Sequence, residues 1–210
     1  AATARQLLVD CLAALSPFDQ FIARHLGAVL TRAAVACGDT GAARAALAAA
    51  ADKTRMKTYE PEDELAEAAL FAASLRMDDA TERAAWAAGI AAARGEWSVA
   101  AAGYHDAARY GGARHVAAAM REAVAHVDGT LAWCYLDHVV ALAARDATGL
   151  DEVARRFEAH GTLLFAAEAA SESALAHATA SHTRPARASR FRAAELWDRC
   201  EAIAPPWLAG

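Results

Sequence analysis

Proline, glycine, paired cysteines and long apolar runs are all scarce in this chain. Proline accounts for only 5 of its 210 residues and glycine for 12, so helices are seldom interrupted. The four cysteines form no Cys-x-x-Cys pair, and no signal-peptide pattern precedes them. Apolar runs such as Leu163 to Ala167 end far short of the roughly 18 residues that a membrane-spanning helix needs. These absences exclude a membrane span and predict a cytoplasmic chain without disulfides.

Positive charge is also in short supply. Lys53 and Lys57 are the only lysines, and acidic residues outnumber basic ones, which gives a net charge of -5 and a pI near 5.9. A nucleic-acid-binding domain presents a basic face to the phosphates. We therefore expect no direct contact between this chain and nucleic acid.

Alanine, in contrast, is abundant, with 64 residues. It is the best intrinsic helix former because it loses no side-chain freedom in a helix. No segment alternates apolar and polar residues over enough length to predict a strand. The composition predicts an all-α protein.

The spacing of glycines indicates a repeat. Gly95, Gly129 and Gly161 are 34 and 32 residues apart, which is the period of the tetratricopeptide two-helix repeat. The residues five, nine and twelve positions after each glycine lie near one helical stripe and are mostly small, bulky and small. They are Ala100, Tyr104 and Ala107, then Cys134, His138 and Ala141, then Ala166, Ala170 and Ser173.

This pattern predicts about eleven helices joined by short turns. The predicted spans are 3 to 15, 17 to 37, 40 to 57, 61 to 77, 80 to 94, 96 to 110, 113 to 128, 130 to 146, 150 to 160, 162 to 180 and 185 to 203. Successive helices of such an array pack as antiparallel pairs. We therefore predict a right-handed superhelical array of antiparallel helix pairs, a tetratricopeptide-like solenoid.

Four stretches of the chain carry a resemblance to a known family. They read YHDAARYG (Tyr104 to Gly111), VDG (Val127 to Gly129), FEAHGTLLFAAEAA (Phe157 to Ala170) and DRCEAIAPPWL (Asp198 to Leu208). Together they resemble the tetratricopeptide-like region of large ATP-binding LuxR-type transcriptional regulators of actinobacteria. These regulators are similar to the maltose regulators. In that family an ATPase domain precedes the helical repeats, and a helix-turn-helix DNA-binding domain follows a segment like CEAIAPPWL.

The resemblance implies a single helical-repeat domain, residues 1 to 210, from a larger regulator. The phosphate-binding pattern GxxxxGK[ST] is missing, and no helix-turn-helix follows Leu208, so the ATPase and DNA-binding domains are not part of this chain. The family's repeat region receives an inducer, either a small molecule such as a sugar or a regulatory protein, and relays its presence to the adjacent ATPase and DNA-binding domains. The resemblance implies no cofactor for this chain.

Aromatic and charged residues of the middle repeats are the candidate ligand contacts. Aromatic faces stack on a small polar ligand, and nearby charged groups form hydrogen bonds with it. We place Trp86 and Arg121 first because we assign them to the helices that line the concave side. The predicted ligand-binding set is Trp86, Arg114, Arg121, Trp133 and Asp137. The alternative is that large aromatics fill the gaps between alanine-rich helices.

Two pairs of polar residues lie four positions apart on a helix face. Cys134 and His138 have the spacing of a catalytic dyad or half a metal site, but they occupy packing positions of the repeat. We predict no metal ion there. Glu168 and Glu172 are like charges on one face, and we assign them a structural role with an arginine of the final helix as partner. An open groove beside either glutamate would overturn that assignment.

Two functions remain open at this stage. The first is an effector-sensing domain that binds a small molecule in its concave groove, and the second is a protein-interaction scaffold without a small ligand. An ordered pocket walled by Trp and Arg would favour sensing, and a long exposed apolar groove would favour the scaffold. No nucleophile, base and orienting group come together at a recognised spacing, so we expect no enzyme.

Overall fold

The computed structural model describes residues 1–208, and all regular structure in that part of the chain is helical. The α-helices are α1 (Ala2–Ala14), α2 (Gln20–Ala36), α3 (Thr40–Ala51), α4 (Glu60–Ala73), α5 (Met77–Ala93), α6 (Trp97–Ala107), α7 (Ala113–Val124), α8 (Thr130–Ala144), α9 (Ala147–Ala159), α10 (Leu163–Thr179) and α11 (Thr183–Arg199). Short 3-10 turns occur at Lys57–Tyr59 and Pro206–Leu208, and a π turn at Ala108–Gly112 joins α6 to α7. The predicted all-α class is confirmed.

Six of these helices end with the same hydrogen-bonded motif. After α2, α4, α5, α8, α9 and α10 one residue has positive φ, and the next N–H donates to the carbonyl five residues earlier. Such a Schellman motif satisfies carbonyls that have no partner at a helix end. The donor and acceptor residues are Asp39 and Ala34, Arg76 and Phe71, Glu96 and Ala91, Asp146 and Ala141, Thr162 and Phe157, and His182 and His177.

Glycine occupies the positive-φ position at only three of these six ends. Gly95 and Gly161 have φ of 74° and end α5 and α9, as their repeat spacing predicts. Gly129 differs, because it is the residue that precedes α8 and not the one that ends α7. At the remaining three ends the positive-φ residues are Leu75, Arg145 and Ser181.

The helices form two rows. Each helix packs against its neighbours in the chain, and the even-numbered helices also contact one another, with α2 against α4, α4 against α6 and α6 against α8. We call α2, α4, α6, α8 and α10 the inner row, and the odd-numbered helices from α3 onward the outer row. The helices that carry Trp86 and Arg121, α5 and α7, belong to the outer row. Their assignment to the concave side stays a prediction.

Small residues bring the two rows close together. Ala100, Cys134 and Ala166, the first positions of the predicted stripe, are all fully buried. Gly103 of α6 approaches α5 so closely that a Cβ atom there would lie 2.9 Å from the Cβ of Ala88. Helices that pack at this distance have room only for side chains of this size. The small positions of the repeat are therefore contact points between helices.

Residues 200–208, which we call the C-terminal segment, fold back across the inner row. The amide of Ile203 donates to the carbonyl of Ala36 at 3.1 Å, so the segment reaches the end of α2. The ring of Trp207 then meets Tyr110 edge to face, with 5.6 Å between centroids. The predicted last helix, 185 to 203, is therefore too long at its end, because Glu201 has positive φ and turns the chain away from the α11 axis.

Among the residues that the structure describes, no helix combines the length and the apolar character that crossing a bilayer requires.

Candidate functional site

A buried ion-pair network lies between the helices of the inner row. Arg109 donates to Glu168 through Nε at 2.5 Å and through Nη2 at 2.6 Å, and it also bonds to Asp106. Arg32 of α2 donates to the other oxygen of Asp106 at 2.5 Å. We call these four residues the ion-pair network. Since Asp106, Arg109 and Glu168 are all buried, the network ties α2, α6 and α10 together in the interior.

The π turn between α6 and α7 places Arg109 inside. The turn runs directly into α7 without a loop because Gly111 takes a φ of 110°, which a residue with a side chain rarely adopts. The hydroxyl of Thr81 on α5 donates to the carbonyl of Tyr110 at 2.9 Å and holds the turn in place. Burial alone would lower the pKa of Arg109, but the carboxylates of Glu168 and Asp106 raise it well above its usual value. The guanidinium therefore stays charged.

A second polar chain crosses from α6 to α10 through two histidines. The Nε2 of His105 is 2.9 Å from the Nδ1 of His138, and the Nε2 of His138 is 2.6 Å from the Oε2 of Glu172. We call these three residues the histidine chain. Burial lowers the pKa of His105 well below its usual value, and the charges of Arg109 and Arg32 act in the same direction. In the tautomer of His105 with its proton on Nε2, this nitrogen donates to Nδ1 of His138, and Nε2 of His138 donates to Glu172.

A small central cavity lies beside the ion-pair network. Its volume is about 90 Å³, which at roughly 30 Å³ per molecule holds only a few waters. On one side the cavity is lined by Arg32 of α2, Tyr110 of the π turn and Glu168 of α10. The C-terminal segment closes it with Ile203, Pro205 and Trp207. This volume is well below the roughly 300 to 1,000 Å³ of small-molecule sites.

A larger pocket lies between the C-terminal parts of α8 and α10, and we call it the α8–α10 pocket. Its volume is about 450 Å³, within the roughly 300 to 1,000 Å³ of small-molecule sites. The lining is mainly apolar, with two charged residues at the surface of the pocket. The residues are Leu142, Arg145, Leu150, Glu172, Leu175, Ala176, Thr179 and Ala180.

The predicted ligand-binding residues do not share one pocket. Trp86 is 49% exposed and lines a cleft of about 390 Å³ on α4 and α5, with Arg83 above its ring. Asp137 lines a different cleft, on α8 and α9, where it pairs with Arg156. The two clefts belong to different helix pairs. One continuous site therefore does not include both residues.

The other three predicted residues lie on α7 and α8. Arg114 donates to the carbonyl of Ala143 at 3.1 Å and so joins these two helices. Arg121 reaches only the carbonyl of Ala117 on its own helix, at 3.4 Å. Trp133 is half exposed on α8. Arg114 thus has a structural contact, while Arg121 and Trp133 are accessible to solvent.

The two glutamates of α10 act as structural groups with unexpected partners. Glu168 is 2% exposed and binds an arginine, but this is Arg109 of the π turn and not an arginine of the final helix. Glu172 binds His138, which is hydrogen-bonded at both ring nitrogens and so is more than a bulky packing residue. Both glutamates also border a cavity, Glu168 the central one and Glu172 the α8–α10 pocket. The structural role therefore holds for Glu168, whereas the open α8–α10 pocket beside Glu172 overturns a purely structural role for that residue.

Sequence reasoning missed the ion-pair network as a unit. The signal was present in YHDAARYG, where Asp106 and Arg109 are three residues apart on one helical face. The partner Glu168 is 59 residues further along the chain. Nothing in the local pattern indicates a contact over that separation.

The fold and the site together define an all-helical protein of packed helix pairs with a buried ionic centre. Within the described residues, no three His, Cys, Asp or Glu side chains are arranged to hold a metal ion. The chain matches no family model, no curated protein and no solved structure.

Proposed function

We propose that this chain is the effector-sensing domain of a larger LuxR-type transcriptional regulator. In this proposal its helix pairs form a right-handed, tetratricopeptide-like superhelix. Contacts between next-but-one helices of the inner row and the 34- and 32-residue glycine spacing support that architecture. The quoted resemblance to LuxR-type regulators supports the biological setting, with adjacent ATPase and DNA-binding domains as partners. We propose neither an enzymatic activity nor a cofactor for this chain.

The position of the C-terminal segment is the observation that carries the proposal. In the family that the chain resembles, this segment leads to the DNA-binding domain. Here it lies on the inner row, where Trp207 contacts Tyr110 and Ile203 bonds to Ala36. A ligand that binds the inner row more tightly in one arrangement than in another would shift the position of this segment. Binding and output would thereby be coupled through a direct contact.

A thermal-shift screen of the whole chain tests the sensing function. The library holds sugars, other metabolites and nucleotides, and a ligand that binds only the folded state raises the melting temperature with concentration. We expect one chemical class to raise the melting temperature with concentration, with a gain in the free energy of unfolding of about 2.7 kcal/mol at a hundred times the dissociation constant. Absence of any concentration-dependent increase across the library would overturn small-molecule sensing.

A protein-interaction scaffold is the second candidate function, and the surface of α1 favours it. This helix contains no buried residue. Leu7 and Val9 on the helix and Phe18 just after it are exposed. Exposed apolar side chains contribute to surfaces that bind protein partners when they form a contiguous patch. A silent ligand screen followed by loss of partner binding in Leu7→Glu would favour the scaffold.

A further inference from the structure

The α8–α10 pocket has an apolar interior that remains open. Leu150 of α9 is buried and forms the floor, and Leu142 of α8 and Ala176 of α10 form the sides. Leu175 lies at the mouth and is 58% exposed. Leu175 therefore extends the apolar surface from the pocket interior to its mouth. The walls therefore suit a ligand with a hydrocarbon body.

Two charged groups border this apolar interior. Arg145 follows α8 in a left-handed conformation, is exposed, and forms no ion pair with any residue that the structure describes. Glu172 is 8% exposed and uses Oε2 to accept the hydrogen bond from His138. Within the described part of the chain, its Oε1 receives no hydrogen bond. Counting only partners among residues 1–208, the pocket thus offers Arg145 as a cation without an ion pair and Oε1 of Glu172 as an acceptor without a donor.

The ends of α8 and α10 decide how these groups are used. Both helices finish beside the pocket, and the carbonyl end of a helix carries partial negative charge. A ligand with a carboxylate alone is attracted by Arg145 but repelled by the helix ends and by Glu172. A ligand that also brings a hydrogen-bond donor satisfies Glu172 and removes part of this repulsion.

We propose that the α8–α10 pocket binds a small amphipathic hydroxy acid. Its hydrocarbon body lies along Leu150 and Leu175, its carboxylate faces Arg145, and its hydroxyl donates to Glu172. This inference rests on the proposed sensing function and names the chemical class of the effector.

Leu175 also connects this pocket to the C-terminal segment. The same side chain lines a second cavity, of about 230 Å³, whose other walls include Trp207 and Leu208. A ligand that covers Leu175 on one side changes the packing of the C-terminal segment on the other. The fluorescence of Trp207 should respond when the pocket is filled.

The test uses 3-hydroxydecanoate, decanoate and 1-decanol as probes, with calorimetric titration of the whole chain. We expect saturable binding of 3-hydroxydecanoate, with weaker binding of the two analogues because each lacks one polar contact. Each missing contact should weaken binding roughly fivefold. The proposed ligand class is overturned if 3-hydroxydecanoate does not bind, or if it binds no more tightly than 1-decanol.

Two variants and a control locate the binding. Arg145→Asn removes the charge while keeping a residue that tolerates positive φ, and it should weaken both acids roughly fivefold and leave 1-decanol unchanged. Ala176→Phe fills the pocket and should abolish binding of all three probes. Arg187→Gln removes another exposed arginine, on α11, and should change nothing.

The outcomes separate this inference from the sensing function. Binding that persists in Ala176→Phe places the probe elsewhere and overturns the assignment of the pocket. A thermal-shift hit that is unaffected by Ala176→Phe would refute the pocket while the sensing function stands. If the original chain shows neither a thermal-shift response to any compound nor binding of the probes, both are refuted.

Discussion

Arg109 and Glu168 are charged residues held in the interior, where removal from water costs several kcal/mol per ion. The bidentate pairing of their side chains and the bond from Arg109 to Asp106 offset that cost. Breaking such a pair by removing one partner typically costs about 3 to 5 kcal/mol, because the other charge stays buried. The ion-pair network therefore favours one arrangement of α6 and α10 over alternatives that would leave these charges unpaired.

His105 should make stability depend on pH, and this is the first prediction at the scale of residues. Its pKa is lowered in the folded state, whereas in the unfolded chain it takes up a proton below about 6.5. The stability contributed by neutral His105 is therefore complete above pH 6.5 and decreases as the pH falls below it. One unit below, the loss for one histidine is about 1.4 kcal/mol.

Urea unfolding at pH 7.5 and pH 5.5 measures this loss against a matched variant. His105→Gln keeps a nitrogen that can donate to His138 but cannot titrate in this range. The original chain should lose about 1.4 kcal/mol more than the variant between the two pH values. Equal losses in both proteins would show that His105 is not held neutral.

At the scale of elements, the ends of the helices show which parts of the fold could be predicted from the sequence and which could not. Gly95 and Gly161 end helices in the way that their left-handed tolerance predicts. Leu75 and Arg145 perform the same role although leucine and arginine carry no local signal for positive φ. At each of these ends, one hydrogen bond from the following amide to the carbonyl five residues earlier accompanies that conformation. Glycine therefore marks three of the six such helix ends but not the other three.

Leu75 should be a position where glycine stabilises the protein. A residue with a side chain at φ of 58° is strained by roughly 1 kcal/mol relative to glycine. Leu75 is 60% exposed, so little apolar burial is lost by its removal. We expect Leu75→Gly to raise the free energy of unfolding by about 0.5 to 1 kcal/mol.

Leu7→Gly is the matched control for this prediction. Leu7 is 58% exposed as well but lies inside α1, where glycine costs about 1 kcal/mol. Urea unfolding should thus give opposite signs for the two substitutions. A decrease in stability for both would mean that Leu75 contributes through its side chain.

At the scale of the whole molecule, the C-terminal segment joins elements from the two ends of the chain. It follows α11, and its residue Ile203 bonds to Ala36 at the end of α2. The helical pattern predicts each element on its own, but it does not show that residues 200–203 leave the helix and cross the inner row. In the sequence alone, nothing distinguishes Trp207 from other apolar residues. Its contact with Tyr110 is visible only in the fold. Contacts over such separations depend on the assembled rows, so they could not be predicted from local periodicity.

Trp207 should control the protection of the Ile203 amide from hydrogen exchange. Trp207→Ala removes the aromatic contact with Tyr110 and part of the cover of the central cavity. We expect hydrogen exchange at the Ile203 amide to become roughly tenfold faster or more. A loss of about 1.4 kcal/mol of local stability increases the exchange rate by a factor of ten. The measurement is residue-resolved exchange by NMR.

Trp86→Ala provides the comparison for this experiment. Trp86 lies on the outer row, and its removal should leave exchange at Ile203 unchanged. Equal acceleration in both variants would indicate general destabilisation. An unchanged rate in Trp207→Ala would show that the segment is held by other contacts.

The return of the C-terminal segment also changes how such an array should come apart. In an open stack of helix pairs each pair leans only on its neighbours, so the terminal pairs fray first and independently. Here Thr3 of α1 bonds to Glu201, and Ile203 bonds to Ala36, so loosening α11 also removes contacts from α1 and α2. The stability of the two termini is therefore coupled. We expect that fraying at one end lowers the stability of the helices at the other end.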